Sequence, residues 1–396
     1  MTHVVIAGAG IGGLAAALAL AKTGCSVTVF EQAEALAEVG AGLQLSPNAT
    51  RILDRLGVLE ALLPSALEPE ALRIRRGRDA RVLACVPLGR IAQARWKAPT
   101  IVVHRADLQR VLLDAIAREP AVTLRLGATV TGFAQEGATV IAKGRQRDGD
   151  FAELGELLVG ADGLRSRLRG EVVGAARDEL RFTGRTAWRA TIAAADAPAP
   201  ARAPETNLWL GRDAHLVHYP LRRGTIVNIV AIIEEARAGD VDAAAQWNQP
   251  GSAELLRRRY GDWHGDARGL LEAASDWRRW PLFARPLLSR WSRGCVTLLG
   301  DAAHPMVPFL AQGAAQAIED AAALAAAVAA SPNDIPAALA AYEHERVARA
   351  HAVQRQSMRQ GQIYHLTGPA AFARDLAMRA AGPETLIARY DWIYSR

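Results

Sequence analysis

Cysteine is scarce in this chain: Cys25, Cys85 and Cys295 are the only three in 396 residues. So few and so far apart, they exclude a disulfide framework, and no Cys-x-x-Cys spacing suggests a metal centre. Long apolar runs are missing too. Arg, Lys, Asp or His interrupts every stretch before the roughly 20 residues a membrane helix needs. Met1-Thr2-His3 passes straight into an apolar run, so no signal peptide is read and a cytoplasmic protein is expected. Aromatic residues are only 6% of the chain and do not interleave with basic ones. That counts against nucleic acid, which the net charge of +6 would otherwise suggest. The densest basic run, Arg73-Ile74-Arg75-Arg76-Gly77-Arg78, reads as a strand and turn with a solvated face.

Half of the residues are hydrophobic, enough to bury a large core and build two domains around one site. The N-terminus reads His3-Val4-Val5-Ile6-Ala7, then Gly8-Ala9-Gly10-Ile11-Gly12-Gly13, a helical stretch to Lys22, and Val27-Thr28-Val29-Phe30-Glu31. A strand, a glycine turn, a helix and a second strand ending in an acid form the arrangement a dinucleotide requires. Gly8 allows the tight turn, Gly10 lets the backbone approach a pyrophosphate, and Gly13 lets the helix pack on the sheet. Glu31 then sits where a carboxylate can hold ribose hydroxyls.

Two more segments repeat the theme of a buried strand ending in Gly and Asp. Leu157-Leu158-Val159 leads into Gly160-Ala161-Asp162-Gly163 and on to Arg169. Val296-to-Leu299 leads into Gly300-Asp301-Ala302-Ala303-His304-Pro305, then through Pro308 and Gly313 into a helix from Ala314 to Ala330. An acid at such a junction suits ribose or ribityl hydroxyls. It is equally suited to capping a helix or turn.

Taken together with Gly40-to-Ala49, His104-to-Leu108 and Tyr342-to-Arg346, these segments resemble the single-component FAD-dependent aromatic hydroxylases of the salicylate, 3-hydroxybenzoate and 6-hydroxynicotinate type. The matching segments span almost the whole chain. The resemblance implies an α/β fold. A Rossmann-like FAD-binding domain with a parallel sheet (1–72, 101–175 and 276–330) is interleaved with an antiparallel β-sheet substrate domain (73–100 and 176–275). Helices follow over 331–396. It implies FAD, NADH or NADPH as co-substrate, O2, a small aromatic substrate, and ring hydroxylation through a flavin hydroperoxide. A basic surface would help attract anionic ring acids and the pyridine nucleotide. Neither nucleic acid nor membrane is expected as a partner, and a monomer or homodimer is.

The same resemblance assigns cofactor contacts to Gly8, Gly10, Gly12, Gly13, Glu31, Gln44, Arg105, Val130 at the end of its strand, Asp162, Asp301, Gly313 and Ala314. Ala311 stands where the family often has glycine. For substrate activation the expectation is His215 with Tyr219, since alternate strand positions share a face and imidazole titrates in the range of a general base. His218 falls on the other face, and His304 is expected to support its loop or meet the nicotinamide. Phe309 and Val307 are expected to line the pocket, and Trp188 and Trp209 to touch it. The cation for a substrate carboxylate is left open among Arg189, Arg75 and Arg222. The alternatives are a related flavoenzyme of epoxidation, oxidative decarboxylation or reduction, and an NAD-only dehydrogenase or non-catalytic flavin carrier.

Overall fold

The computed structural model describes residues 1–36, 42–174, 179–235 and 247–395. Gly40 and Ala41 of the Gly40-to-Ala49 motif lie outside them. The first βαβ unit forms as its sequence dictates. Strands His3–Ala7 and Ser26–Glu31 pair in parallel, flanking the helix Ile11–Ala21. Leu157–Gly160 and Val296–Leu298 extend the sheet on one side and Val122–Leu126 on the other, all in parallel register. Runs such as Val4-Val5-Ile6 and Leu157-Leu158-Val159 are continuous rather than alternating, because both faces of a parallel sheet are covered. Every residue of Ile11–Ala21 except Gly12 is buried. A helix apolar all round fits between layers: it packs on the sheet and against the helix Gly313–Ala330.

A second sheet has eight strands. In spatial order they are Gln249–Pro250, Arg278–Ala284, Arg181–Ala193, Ile226–Glu234, Ala214–Leu221, Glu205–Gly211, Ala71–Arg76 and Val82–Pro87. All neighbours are antiparallel except Glu205–Gly211 on Ala71–Arg76. The helices Ala253–Arg259 and Gly265–Ala273 cover one face. The other face meets Val307, Phe309 and the C-terminal helices. One strand departs from the sequence reading. Arg278–Ala284 pairs with Arg181–Ala193 in this sheet rather than joining the nucleotide side, and Phe283 meets Phe182 there. That pairing joins segments nearly 100 residues apart and has no local signal.

Small sheets complete the fold. Gly42–Leu45 pairs with Ile101–His104, and Ala128–Glu136, Thr139–Gln146 and Gly149–Gly155 form a meander. The tail is helical over Ile335–Tyr364, Gly368–Ala380, Pro383–Ala388 and Asp391–Tyr394. No described helix is long and apolar enough to cross a membrane.

Candidate active site

The glycine turn is tight where the motif requires it. Gly8 has φ +105°, and a Cβ there would lie 2.5 Å from the Ala161 carbonyl oxygen. At Gly13 a Cβ would lie 1.9 Å from the Gly8 oxygen, so the helix start is in contact with the strand end. Gly12 packs against Leu299 and Ala317. A Cβ at Gly10, by contrast, would meet no atom of the described residues within 4 Å. The helix beginning at Ile11 has no side-chain cap and no acid in its first turn, so its N–H groups point into open space fit for a phosphate. Glu31 spends one lone pair on the Ala9 N–H (2.8 Å) and one on the Ala33 N–H (2.9 Å). A carboxylate has about four such sites, which leaves acceptors for ribose hydroxyls. These residues fit the phosphate and ribose of a dinucleotide.

The two Gly-Asp segments differ in what they do. Asp162 Oδ2 accepts from the Arg167 N–H (2.8 Å) and helps start the helix Arg167–Val173, while Oδ1 is buried without a hydrogen-bond partner among the described residues. Its role is thus at least half a capping role, and the single orphaned oxygen is what it retains for a ligand. Asp301 is exposed at its surface, yet surrounding protein desolvates its carboxyl and pushes its pKa up. Its Oδ1 would lie 4.0 Å from a Cβ on Gly313. There the helix Gly313–Ala330 starts with no side-chain cap, leaving the N–H groups of Gly313, Ala314 and Ala315 free at its first turn. Ala311 takes the left-handed conformation (φ +52°) that glycine would take without strain.

Arg105 opens the helix Arg105–Ile116, exposed, and acts electrostatically on both Asp301 and Arg189. Gln44 lies on the short strand Gly42–Leu45. Val130 is not at a strand end as expected: it sits early in Ala128–Glu136, beside a bulge before Gly132. A bulge leaves a backbone group unpaired, which is what a contact to a base would use.

The eight-stranded sheet supplies the second half. Its registers place Ala187, Ile232 and His215 in one row, Arg189, Val230 and Val217 in the next, and Thr191, Asn228 and Tyr219 in a third. Paired residues of an antiparallel sheet share a face, so His215, Arg189 and Tyr219 all point the same way. The middle row is half-exposed while His215 and Tyr219 on either side are buried. The face therefore opens over Val217, Val230 and Arg189. Arg189 lies 5.6 Å over the Trp280 ring. Its Nε is buried without a hydrogen-bond partner among the described residues, and burial pushes its pKa down.

His215 touches Phe309 (ring centroids 5.4 Å) and Tyr364 (5.3 Å), and its Nδ1 lies 2.7 Å from His365 Nε2. Burial first, then His365 and Arg185, hold its pKa well below the usual range, so the ring is neutral. Burial raises that of the Tyr219 phenol, which packs against Gly42.

The other candidates are sorted by face and partner. His218 faces away, beside a small recess lined also by Arg75, Asn207, Trp209 and Asp266. Burial and Arg75 push its pKa down to about 3. Trp188 and Trp209 belong to the apolar cluster behind the sheet, on the face opposite His215 and Tyr219. Strand parity sets them opposite Arg189 and Leu208. Arg75 is behind the sheet too, bonded to Asn207 Oδ1 (3.0 Å). Arg222 pairs with Asp107. His304 Nε2 bonds Asp320, which also accepts from the Gly300 N–H (3.0 Å), so His304 supports its loop.

Three groups of residues escaped the sequence reading. Buried Arg169 donates to the carbonyls of Ala302 (2.8 Å) and Ala303 (2.7 Å), tying one Gly-Asp segment to the other. Arg346 pairs with Asp320 (2.7 Å) and Glu319, and Arg349 and Asn48 also meet Glu319, anchoring the Gly313–Ala330 helix from beneath. His365 and Glu234 join His215. Only the acid and arginine positions of Gly300-to-Asp320 and Tyr342-to-Arg346 gave any signal.

Residues 1–357 match the protein family described as "FAD binding domain". The chain belongs to this family of FAD-dependent hydroxylases. It is 38% identical to "3-amino-4-hydroxybenzoate 2-monooxygenase PtnB3" of Streptomyces platensis, covering 100% of this chain and 98% of that protein. It is 34% identical to a "3-hydroxybenzoate 6-hydroxylase" of Polaromonas naphthalenivorans, covering 99% and 95%. Klebsiella pneumoniae HpxO complexed with FAD and uric acid superposes with a TM-score of 0.86 at 26% identity, covering 100% and 97%. A salicylate hydroxylase substrate complex gives 0.83 at 25%, covering 100% and 95%. This hydroxylase has an FAD-binding fold, and its phosphate and ribose cradles fit that cofactor.

Proposed function

We propose that this hydroxylase inserts oxygen into the ring of a phenolic or hydroxy-heteroaromatic acid, using NADH or NADPH and O2, and that the ring binds over the half-exposed row Val217, Val230 and Arg189. One observation carries the reading: a single sheet face presents a buried neutral imidazole, a buried phenol and a guanidinium with an unsatisfied donor. A phenolic acid answers all three, because it brings a hydroxyl to deprotonate and a carboxylate to pair. The names of the relatives, among them hydroxybenzoate and hydroxynicotinate monooxygenases, agree with that substrate class.

Bound FAD supplies the activation of oxygen that no side chain can perform. The chain's own residues do the rest. Gly8-to-Gly13 and the Ile11 helix start would hold the pyrophosphate and Glu31 the adenosine ribose. Asp301 would hold the ribityl hydroxyls, with Arg105 beside it. Gly313 and Ala314 would direct N–H groups at the pyrimidine edge, where negative charge develops on reduction. Gln44, the Val130 backbone and Asp162 Oδ1 would complete the contacts. His215 would take the phenolic proton, making the ring more electron-rich, with Tyr219 steadying the oxygen. Arg189 would hold the carboxylate, since Arg75 and Arg222 are engaged elsewhere. Val307, Phe309 and Trp280 would exclude water. The division into an FAD part, a substrate part and a C-terminal helical part is read in the same way.

The test is oxidation of NADH and of NADPH by the FAD-loaded enzyme with salicylate, 3- and 4-hydroxybenzoate, 3-amino-4-hydroxybenzoate, gentisate and 6-hydroxynicotinate, quantifying peroxide and product together. Stimulated oxidation with a hydroxylated product and little peroxide is expected. Oxidation that none of these acids stimulates would refute the substrate class.

A further inference from the structure

We propose that His365 and Glu234 are positioning residues that fix the tautomer of His215, leaving its Nε2 as a bare acceptor for the substrate hydroxyl, and that the same chain carries the acquired proton to the surface. The inference rests on the hydroxylase reading above for its chemistry, but not for its geometry.

Three side chains lie in a line. Glu234 Oε1 is 2.9 Å from His365 Nδ1, and His365 Nε2 is 2.7 Å from His215 Nδ1. They come from the end of the strand Ile226–Glu234, the residue closing the helix Ile335–Tyr364, and the strand Ala214–Leu221. Polarity runs one way along this line. A carboxylate only accepts, so His365 Nδ1 carries the hydrogen. A neutral imidazole has one N–H, so His365 Nε2 is the acceptor and His215 Nδ1 the donor. His215 Nε2 is then left with a lone pair, the form a base must have.

The groups around the line enforce this. Arg185 bonds Glu234 (2.8 Å) and lies over Phe309, keeping Glu234 ionised. Burial and Arg185 oppose a second proton on His365, against the pull of Glu234 and the more distant Asp213. Tyr364 presents its ring to His215. The Tyr260 hydroxyl donates to the His215 carbonyl rather than the ring. The proton path needs no further reagent, and its reversal, when the product hydroxyl regains its proton from His215 Nε2, restores the starting tautomers. The substrate O–H bond breaks and His215 Nε2–H forms, leaving phenolate and imidazolium. The Nδ1 proton passes to His365 Nε2, the His365 Nδ1 proton passes to Glu234, and Glu234, 36% exposed, releases it to water.

The test combines tautomer and kinetics. In FAD-loaded protein labelled with ¹⁵N-histidine and free of substrate, His215 Nε2 is expected to resonate as an unprotonated nitrogen. His365→Phe removes the acceptor and should move His215 toward the Nε2–H form. The same variant should lower kcat for hydroxylation about 10–100-fold, the effect typical of an orienting partner, with KM little changed and more peroxide released. His365→Gln puts an acceptor oxygen back and should restore the His215 tautomer, yet it cannot pass a proton on, so kcat should stay low; recovery of most of the loss would overturn the relay. An Nε2–H signal in the unmodified protein would overturn the proposal. So would a His365→Phe enzyme with unaltered coupling and pH profile. If the Nε2 signal is as expected but no phenolic acid is hydroxylated, the tautomer assignment stands and only the substrate reading fails.

Discussion

Replacing Arg189 by methionine should make the protein more stable and the enzyme worse. The guanidinium stands in the half-exposed row of the sheet face, its Nε buried with no hydrogen-bond partner among the described residues. A buried unsatisfied donor costs about 1–3 kcal/mol. Methionine keeps the length and packing of the stem over Trp280 and removes that donor. The lost cation–π contact returns about 0.5–1 kcal/mol, so a net gain of about 1 kcal/mol is expected. With an unfolding entropy of roughly 2 cal/mol/K per residue, that raises the midpoint by only about 1 °C, so chemical denaturation is the better assay. Catalysis should move the other way. A hydrogen bond to a charged group is worth about 1.5–3 kcal/mol, so kcat/KM for a hydroxybenzoate should fall about 10–150-fold. The corresponding methyl ester, already poor with the unmodified enzyme, should lose little. The comparison of acid with ester in both proteins is a double cycle that isolates the carboxylate–Arg189 term. If Arg189→Met is less stable and the acid-to-ester ratio is unchanged, Arg189 is a structural residue and the carboxylate is read elsewhere.

Other expectations follow from single structural features. Gly13→Ala sets a Cβ 1.9 Å from the Gly8 oxygen, so the purified variant should lose its flavin absorbance or fail to fold. Ala311→Gly removes a left-handed alanine that costs about 1–2 kcal/mol, against about 0.4–1 kcal/mol of added chain entropy. It should leave urea stability equal or up to about 1 kcal/mol higher, and a clear loss would show the loop is otherwise held. Asp320, fully buried, is held at a pKa of about 2 chiefly by His304 and Arg346, which outweigh its burial. A depressed carboxylate stabilises above its unfolded pKa and loses that contribution as pH falls through the folded one. Stability should therefore drop by about 2 kcal/mol between roughly pH 4 and pH 2 on this group's account, and Asp320→Asn should flatten that slope while lowering stability at neutral pH.

The cofactor half was legible because its requirements are local. A phosphate needs a glycine turn at a helix start, and strand, turn, helix and acid must follow within about 30 residues. Gly8, Gly13 and Glu31 all satisfy constraints that adjacent residues impose. Strand alternation also works locally: it put His215 and Tyr219 on one face and His218 on the other. Trp188 and Trp209, expected to touch the pocket, lie on the covered face instead. Parity says which residues share a face, while the covering helices Ala253–Arg259 and Gly265–Ala273 say which face is the back. Asp162 shows a related ambiguity, because a strand-end acid serves a helix start or a ligand with the same residue type.

What the sequence by itself determined is thus the family, the nucleotide cradle and the candidate base, all written within short spans where spacing stands in for geometry. Only the tertiary structure decided which of three arginines shares the sheet face of His215 and Tyr219, because Arg189, Arg75 and Arg222 are alike until their registers and partners are seen. It alone brought His365 to His215, 150 residues earlier in the chain. It alone drew Arg346 beneath the Gly313–Ala330 helix to Asp320 and Glu319. The physical reason is the same in each case. Burying a charged or polar group requires a partner, and nothing in the local sequence says where in a folded chain that partner will come from.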